Sequence, residues 1–161
     1  MPQITIEYMI MIPMLILQIF LFPLTAGWIM TTWVDSRQTL ALQETASHVG
    51  STIQQVYSAL NHESISTGAV NVNLPVTPFI EGYAYRGNAS LRADLAENSS
   101  QILDIEIRFI GASIETSTSV TLGSNVQWDY TSQFMSNSTN AILIAEKLSN
   151  GTINFAFGGY E

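Results

Sequence analysis

The chain has 161 residues, no cysteine, 13 acidic and 5 basic side chains, and a net charge of −8. Without cysteine it has no disulfide, no thiolate metal site and no covalently attached c-type haem. An acidic balance without a basic cluster also argues against nucleic-acid binding. Charged residues make up only 11% of the chain, against about 25% in ordinary globular proteins, and residues 8–34 contain none.

The N-terminal segment, about residues 3–34, is predicted to be an apolar helix. Its uncharged part is longer than the roughly 20 residues that cross a bilayer. A removable secretory signal is a poor match, because its apolar region has about 7–15 residues behind a positive flank. Kinks or local unwinding are expected at the helix breakers Pro13, Pro23 and Gly27. Trp28 and Trp33 lie near the C-terminal end, where an aromatic belt would form.

Residues 35–62 are predicted to continue the helix in amphipathic form. Six apolar residues follow a 4-3-4-3-4 spacing and share one helix face: Leu42, Ala46, Val49, Ile53, Val56 and Leu60. This seam is too short to indicate a coiled coil, and it favours a helix packed on its own globular domain. We therefore divide the chain into an N-terminal helix, residues 1–62, and a head domain, residues 63–161.

The head domain changes to a two-residue period, which is typical of half-buried strands. Residues 103–109 alternate strictly between apolar and charged side chains. Asn150-Gly151 predicts a hairpin turn between the last two strands. Strands are predicted near residues 70–74, 79–86, 89–95, 103–109, 112–122, 125–131, 141–148 and 152–159. The fold class is therefore α+β, with a small antiparallel, sandwich-like head.

Glu7 is the one charged side chain that precedes the uncharged stretch. A carboxylate at the edge of an apolar segment is costly unless it is paired, protonated or at the headgroup level. It is therefore either a residue of the membrane interface without a further role, or a docking charge. As a docking charge it would neutralise the N-terminal amine of a neighbouring subunit, where low dielectric strengthens the pair.

The segment Gln3-Ile4-Thr5-Ile6-Glu7-Tyr8, followed by a long apolar helix and a β-rich domain, resembles the type IV pilin superfamily. With Gln3 as the first mature residue, Glu7 stands fifth, where the family carries a glutamate. A starting Gln resembles archaeal members, and Pro13, six residues after Glu7, is similar to Tad-type pseudopilins. The family's leader ends in a small residue behind Lys or Arg, whereas Met1-Pro2 precede Gln3 here. The likeness covers roughly residues 3–60.

The resemblance implies a major structural subunit of an extracellular type IV pilus-like filament. Its partners would be identical subunits, the membrane before assembly, a prepilin peptidase and the assembly machinery, and Gln3 and Glu7 would be assembly residues. The expected location is the cell surface. Two alternatives stay open: a single-pass membrane-anchored binding domain or minor pseudopilin, and an archaellin-like motility subunit.

Four N-x-S/T sequons begin at Asn88, Asn98, Asn137 and Asn150. All four lie in the head domain, in stretches predicted to be loops and turns. This placement favours an exposed domain that carries N-linked glycans. Chance is the alternative, because the chain is rich in Asn, Ser and Thr.

No catalytic constellation is apparent, so an enzyme is not expected. His48 and His62 have no carboxylate or cysteine at metal-ligand spacing, and Asp104 and Glu106 are expected on the solvated face of a strand. No nucleophile elbow, P-loop or dinucleotide fingerprint is present, and no cofactor or metal is expected. The aromatic side chains Tyr83, Tyr85, Trp128 and Tyr130 are expected to pack in the core, with a binding patch as the alternative.

Overall fold

The computed structural model describes residues 3–93, 100–139 and 141–159, with side chains from residue 8 onward except that of Ala93. One helix precedes eight strands. The elements are α1 (Gln3–Leu60), β1 (Gly68–Asn73), β2 (Tyr85–Ala93), β3 (Ser100–Phe109), β4 (Glu115–Gly123), β5 (Val126–Trp128), β6 (Gln133–Met135), β7 (Ile142–Lys147) and β8 (Ile153–Gly158). The predicted α+β class with an N-terminal helix is confirmed.

The strands form two four-stranded sheets. The first has the order β1-β7-β8-β5 and the second the order β4-β3-β2-β6. Neighbouring strands are antiparallel except β5 and β8, which pair in parallel. The expected antiparallel head therefore contains one parallel pair, because β5 follows β4 of the second sheet and joins the first sheet beside β8.

The chain consists of two compact units, residues 1–37 and residues 38–161. The C-terminal part of α1 thus belongs to the same unit as the sheets. All six residues of the predicted seam are buried in the core of this unit, with exposed fractions from 0% to 8%. The prediction that this part of the helix packs on its own domain is confirmed.

Gly50 shows how closely the helix approaches the second sheet. A Cβ atom placed on Gly50 would lie 2.9 Å from Cγ1 of Val120 on β4 and 3.5 Å from Cδ1 of Ile105 on β3. A side chain at this position would therefore force the sheet or the helix to shift. The absence of a side chain allows the seam to pack on the apolar faces of β3 and β4.

The alternation of residues 103–109 is confirmed in β3. Leu103, Ile105, Ile107 and Phe109 are at most 2% exposed, whereas Arg108 points to solvent. The hairpin at Asn150-Gly151 is also confirmed. Gly151 has φ +84° and donates its N–H to the Leu148 carbonyl at 2.9 Å, so the turn requires a residue that tolerates the left-handed region.

One strand prediction was wrong and one strand was missed. The strand predicted near residues 79–86 does not form, and only Tyr85 and Arg86 of this stretch belong to a strand, β2. Glu81 and Gly82 both have positive φ in a tight turn, with a single bridge between Ile80 and Tyr83. Strand β6 was missed, because its three residues are too short to show an alternating pattern.

Candidate functional site

The uncharged part of α1 is the first candidate site. Every residue from 8 to 33 is exposed to solvent. The helix is long and apolar enough to cross a membrane, and none of its most apolar window is buried within the chain. Such a surface is unfavourable in water because apolar area stays hydrated. An apolar environment, whether lipid or other protein, is required to cover it.

The polar groups in this segment are largely satisfied within the helix. The hydroxyls of Thr25, Thr31 and Thr32 donate to the carbonyls four residues earlier, each at 3.0 Å. Each threonine therefore presents its methyl group without an unpaired donor. This arrangement suits a helix whose surroundings offer no water.

Pro13 and Pro23 lie inside α1, and the helix continues through both without a break. The local unwinding that we expected as one alternative is not present, while kinks at Pro13, Pro23 and Gly27 stay a prediction. Because Pro23 has no N–H, the carbonyl of Ile19 loses its usual donor. A Cβ atom on Gly27 would have nothing within 4 Å, so no contact within the chain explains that glycine.

The C-terminal end of the uncharged segment carries aromatic and basic side chains. Trp28 and Trp33 are 72% and 54% exposed. The guanidinium carbon of Arg37 lies 4.9 Å from the ring centroid of Trp33, at cation–π distance. Tryptophan and a long cationic side chain next to an apolar span are typical of the membrane–water interface.

The predicted assembly residues Gln3 and Glu7 have their backbone in the first turns of α1. Their side chains lie outside the described part of the chain. Their docking role therefore stays a prediction.

Three of the four sequons lie in described residues, and Asn98 lies outside them. Asn88, Asn137 and Asn150 are all exposed. Asn88 lies within strand β2 rather than in a loop, which corrects the expectation for that sequon. Asn137 follows β6 in a turn, and Asn150 lies in the β7–β8 hairpin, where its Oδ1 accepts the Thr152 N–H at 2.9 Å.

The titratable side chains form no catalytic cluster among the described residues. His48 lies 3.7 Å from Glu44 one turn away, and His62 Nδ1 lies 2.8 Å from Ser64 Oγ; both histidines are exposed. In the same ranges no group of three His, Cys, Asp or Glu side chains is placed to hold a metal. Asp104 forms an ion pair with Arg92 and accepts a hydrogen bond from Ser119. These bonds, that from Arg92 above all, hold the pKa of the Asp104 carboxyl below its usual range.

The four candidate aromatic residues divide between core and surface. Tyr85 is fully buried and donates its hydroxyl to the Thr77 carbonyl at 2.7 Å, and burial raises the pKa of this phenol. Trp128 packs against Phe155 and Phe157 with 5% of its surface exposed. Tyr83 and Tyr130 are exposed. Core packing is thus correct for two of the four.

Lys147 is a structural residue that the sequence analysis missed. It lies at the end of β7 with 9% exposure, and its Nζ donates to the carbonyls of Leu60 and His62 at 2.8 and 3.3 Å. The amine caps the C-terminal end of α1, which has no basic residue in its own last turn. Extending the alternation of Leu143 and Ala145 by two residues would have placed Lys147 on the inner face.

No protein-family model, curated protein or solved structure matches the chain.

Proposed function

We propose that this chain is a structural subunit of an extracellular, type IV pilus-like filament. In this proposal residues 8–33 lie in the membrane before assembly and against the same segment of other copies afterwards. The head domain then forms the outer layer of the filament. The observation that carries the proposal is the uncharged helix segment, exposed on all sides in the single chain.

The distribution of apolar surface along α1 supports an assembling helix. The seam from Leu42 to Leu60 is buried on the chain's own sheets, so it is not available to other copies. The segment 8–33 has no such cover. Since lipid already shields apolar side chains, helix packing and polar pairing would drive assembly out of the membrane.

The N-terminal sequence supports the same proposal. Gln3-Ile4-Thr5-Ile6-Glu7-Tyr8 before an apolar helix and a β-rich head is the order found in type IV pilins, which this chain resembles. A plain membrane anchor needs no carboxylate at its N-terminal edge. In a bundle of copies, Glu7 would gain a cationic partner, and the pairing would set the register of neighbouring helices.

A single-pass anchor for a surface-exposed head is the second candidate. Trp28, Trp33 and Arg37 favour it, because these side chains at one end of the span suit a stable position at the interface. An anchored protein would stay in the membrane fraction and would form no polymer. Within the filament proposal, a swimming, archaellin-like filament is the alternative to a non-rotating pilus.

The substitution Glu7→Gln tests the filament proposal. We expect the variant to remain in the membrane fraction, because the uncharged helix is intact, and to yield fewer filaments, because the docking charge is lost. Filaments are counted by negative-stain microscopy of sheared surface material. Mass spectrometry of the N-terminal peptide in the same material identifies the mature start.

Glu44→Gln is the matched control. Glu44 is an exposed carboxylate on the same helix, within the compact unit of residues 38–161, and among the described residues it forms only a weak ion pair, with His48. It should leave filament number unchanged. Equal filament numbers for wild type and Glu7→Gln would refute the docking role. The absence of any filament from the wild type would favour the anchored domain.

We also propose that the head carries N-linked glycans. Exposure of Asn88, Asn137 and Asn150 makes all three accessible to modification. The intact mass of the surface protein should then exceed the 17.7 kDa of the polypeptide. Substitution of each asparagine by Gln should remove one increment of mass, and an unmodified intact mass would contradict the proposal.

A further inference from the structure

Two arginines stand side by side on the outer face of the second sheet. Arg86 of β2 and Arg108 of β3 are directly opposite each other in the antiparallel register. Both alternate with inward-facing neighbours, so both point away from the core. Together with Phe109, Gly111, Ala112 and Met135 they line a concavity of about 320 Å³. We call this the arginine face.

The two arginines of this face form no ion pair within the described residues. Neither guanidinium has a carboxylate within 4.0 Å or a hydrogen-bond acceptor there. Glu115, the cross-strand neighbour of Arg108 on β4, forms no ion pair with it. Like charges directly opposite each other destabilise a sheet. Glu115 offsets part of this repulsion at Arg108, whereas the two cross-strand neighbours of Arg86 are Arg108 and Met135.

The other three basic side chains behave differently. Arg92 pairs with Asp104, Lys147 caps α1, and Arg37 lies over the ring of Trp33. The unpaired arginines are therefore confined to one concave face of an otherwise acidic protein.

The first sheet carries the complementary chemistry on its outer face. Glu146 of β7, Asn154 of β8 and Gln127 of β5 form one row across the sheet by register. They line a second concavity of about 330 Å³ together with Asp129, and Ala156 leaves room between the larger side chains. We call this the acidic face.

The acidic face combines two carboxylates, Glu146 and Asp129, with the side-chain amides of Gln127 and Asn154. The Oδ1 atom of Asn154 is buried and has no hydrogen-bond partner. Glu146 has no ion pair in the described residues. Asp129 accepts from the side chain and the N–H of Thr131, and these bonds lower the pKa of its carboxyl. The face thus carries two negative charges beside the two amide groups.

We propose that the arginine face of one copy docks on the acidic face of a second copy. Guanidinium groups pair with carboxylates through two parallel hydrogen bonds and also donate to amide oxygens. One contact would supply acceptors for Arg86 and Arg108 and donors for the carboxylates of Glu146 and Asp129. This inference rests on the proposed filament and assigns the contact between its heads.

The geometry of the two faces favours a polymer over a closed dimer. They lie on different sheets, so the contact joins two different surfaces rather than one surface with itself. Such a heterologous contact leaves one free face at each end, and it continues into an open chain unless the rotation closes a ring. A small anion would satisfy the arginine face alone and would leave the acidic face unpaired.

Cross-linking of the full-length chain in its native membranes and sheared filaments tests the contact. The protein has no cysteine, so Ala112→Cys on the arginine face and Gln127→Cys on the acidic face introduce the only thiols. Both positions are exposed. A short bis-maleimide should join the double-cysteine protein into a ladder of dimers, trimers and larger species. Each single-cysteine protein, the matched control, should give no ladder.

Charge reversal then tests whether arginine–carboxylate pairs hold the two faces together. Arg86→Glu with Arg108→Glu should reduce the ladder at least about tenfold, since like charges then face each other across the interface. Adding Asp129→Arg and Glu146→Arg to the same chain should restore the ladder with inverted charges. The restored protein also controls for folding, because a variant that fails to fold would not regain the contact.

The outcomes separate this inference from the filament proposal. Filaments that form without a ladder, or with a ladder insensitive to charge reversal, overturn the contact and leave the filament standing. A charge-sensitive ladder in membranes that yield no filament supports the contact and overturns the filament. Loss of the ladder without rescue by the fourfold variant overturns the pairing of these four residues.

Discussion

The two parts of α1 differ in where their apolar side chains lie. In residues 8–33 the apolar side chains surround the helix and all are exposed, whereas the six seam residues from Leu42 to Leu60 occupy one face and all are buried. Both parts are helical, so helix formation does not distinguish them. The difference shows that the arrangement of apolar residues around the helix decides whether it packs on its own domain or requires another apolar environment.

The largest effect is expected from charges placed in the N-terminal part of α1. Leu17→Arg with Leu21→Arg places two charges in the uncharged segment, at about 2.5–3.5 kcal/mol each for a helix centre in a bilayer. We expect the protein to move from the membrane pellet to the supernatant on alkaline carbonate extraction. Gln54→Arg with Ser58→Arg, at exposed positions of the C-terminal part, is the control and should stay in the pellet. Equal retention of both variants would contradict membrane insertion.

The next largest effect is expected from truncating a buried seam residue in the C-terminal part of α1. Ile53 is fully buried, and Ile53→Ala should lower the free energy of unfolding of the head by about 2–5 kcal/mol through lost burial and a cavity. Thermal unfolding of the full chain in detergent, followed by near-ultraviolet circular dichroism, measures this. Ile19→Ala removes the same atoms from a side chain that is 65% exposed. Its effect on head stability should stay within about 0.5 kcal/mol, and a larger one would refute the distinction.

A smaller effect is expected from removing the Lys147 cap at the C-terminal end of α1. Lys147→Met removes the amine that bonds the carbonyls of Leu60 and His62. The free energy of unfolding should fall by about 1.5–3 kcal/mol, the range for hydrogen bonds to charged groups. Hydrogen exchange should rise in the last turn of α1 and remain unchanged in residues 8–33. Unaltered exchange at residues 57–60 would show that the cap is dispensable.

The buried faces of helices and strands could be predicted from the sequence where a periodic pattern of apolar residues continues over several turns or residue pairs. The seam spacing and the alternation of residues 103–109 each extend over several periods, so the buried faces were predicted correctly. Prediction failed at β6, which has three residues, and at residues 79–86, where the positive φ of Glu81 and Gly82 forms a tight turn. Asn88 was placed in a loop but lies in β2, because residues before and after it belong to one nine-residue strand.

Some of the candidate sites could be predicted from the sequence, and others depend on how the strands pair. The exposed apolar segment and its tryptophans follow from composition, since the sequence between Glu7 and Asp35 has no charge. The arginine and acidic faces depend on strand register. Arg86 and Arg108 are far apart in the chain, and only the antiparallel pairing of β2 and β3 brings them opposite each other.

The sequence by itself determined the α+β class, the uncharged helix segment, the seam and the faces of the long strands. These features depend on the period of apolar residues, which is a local property. Tertiary structure decided which sheet covers the seam, how β5 joins β8 in parallel, and that Lys147 caps a helix ending 87 residues earlier. Such contacts depend on the path of the chain through space, because residues distant in sequence meet only when the sheets pair and pack.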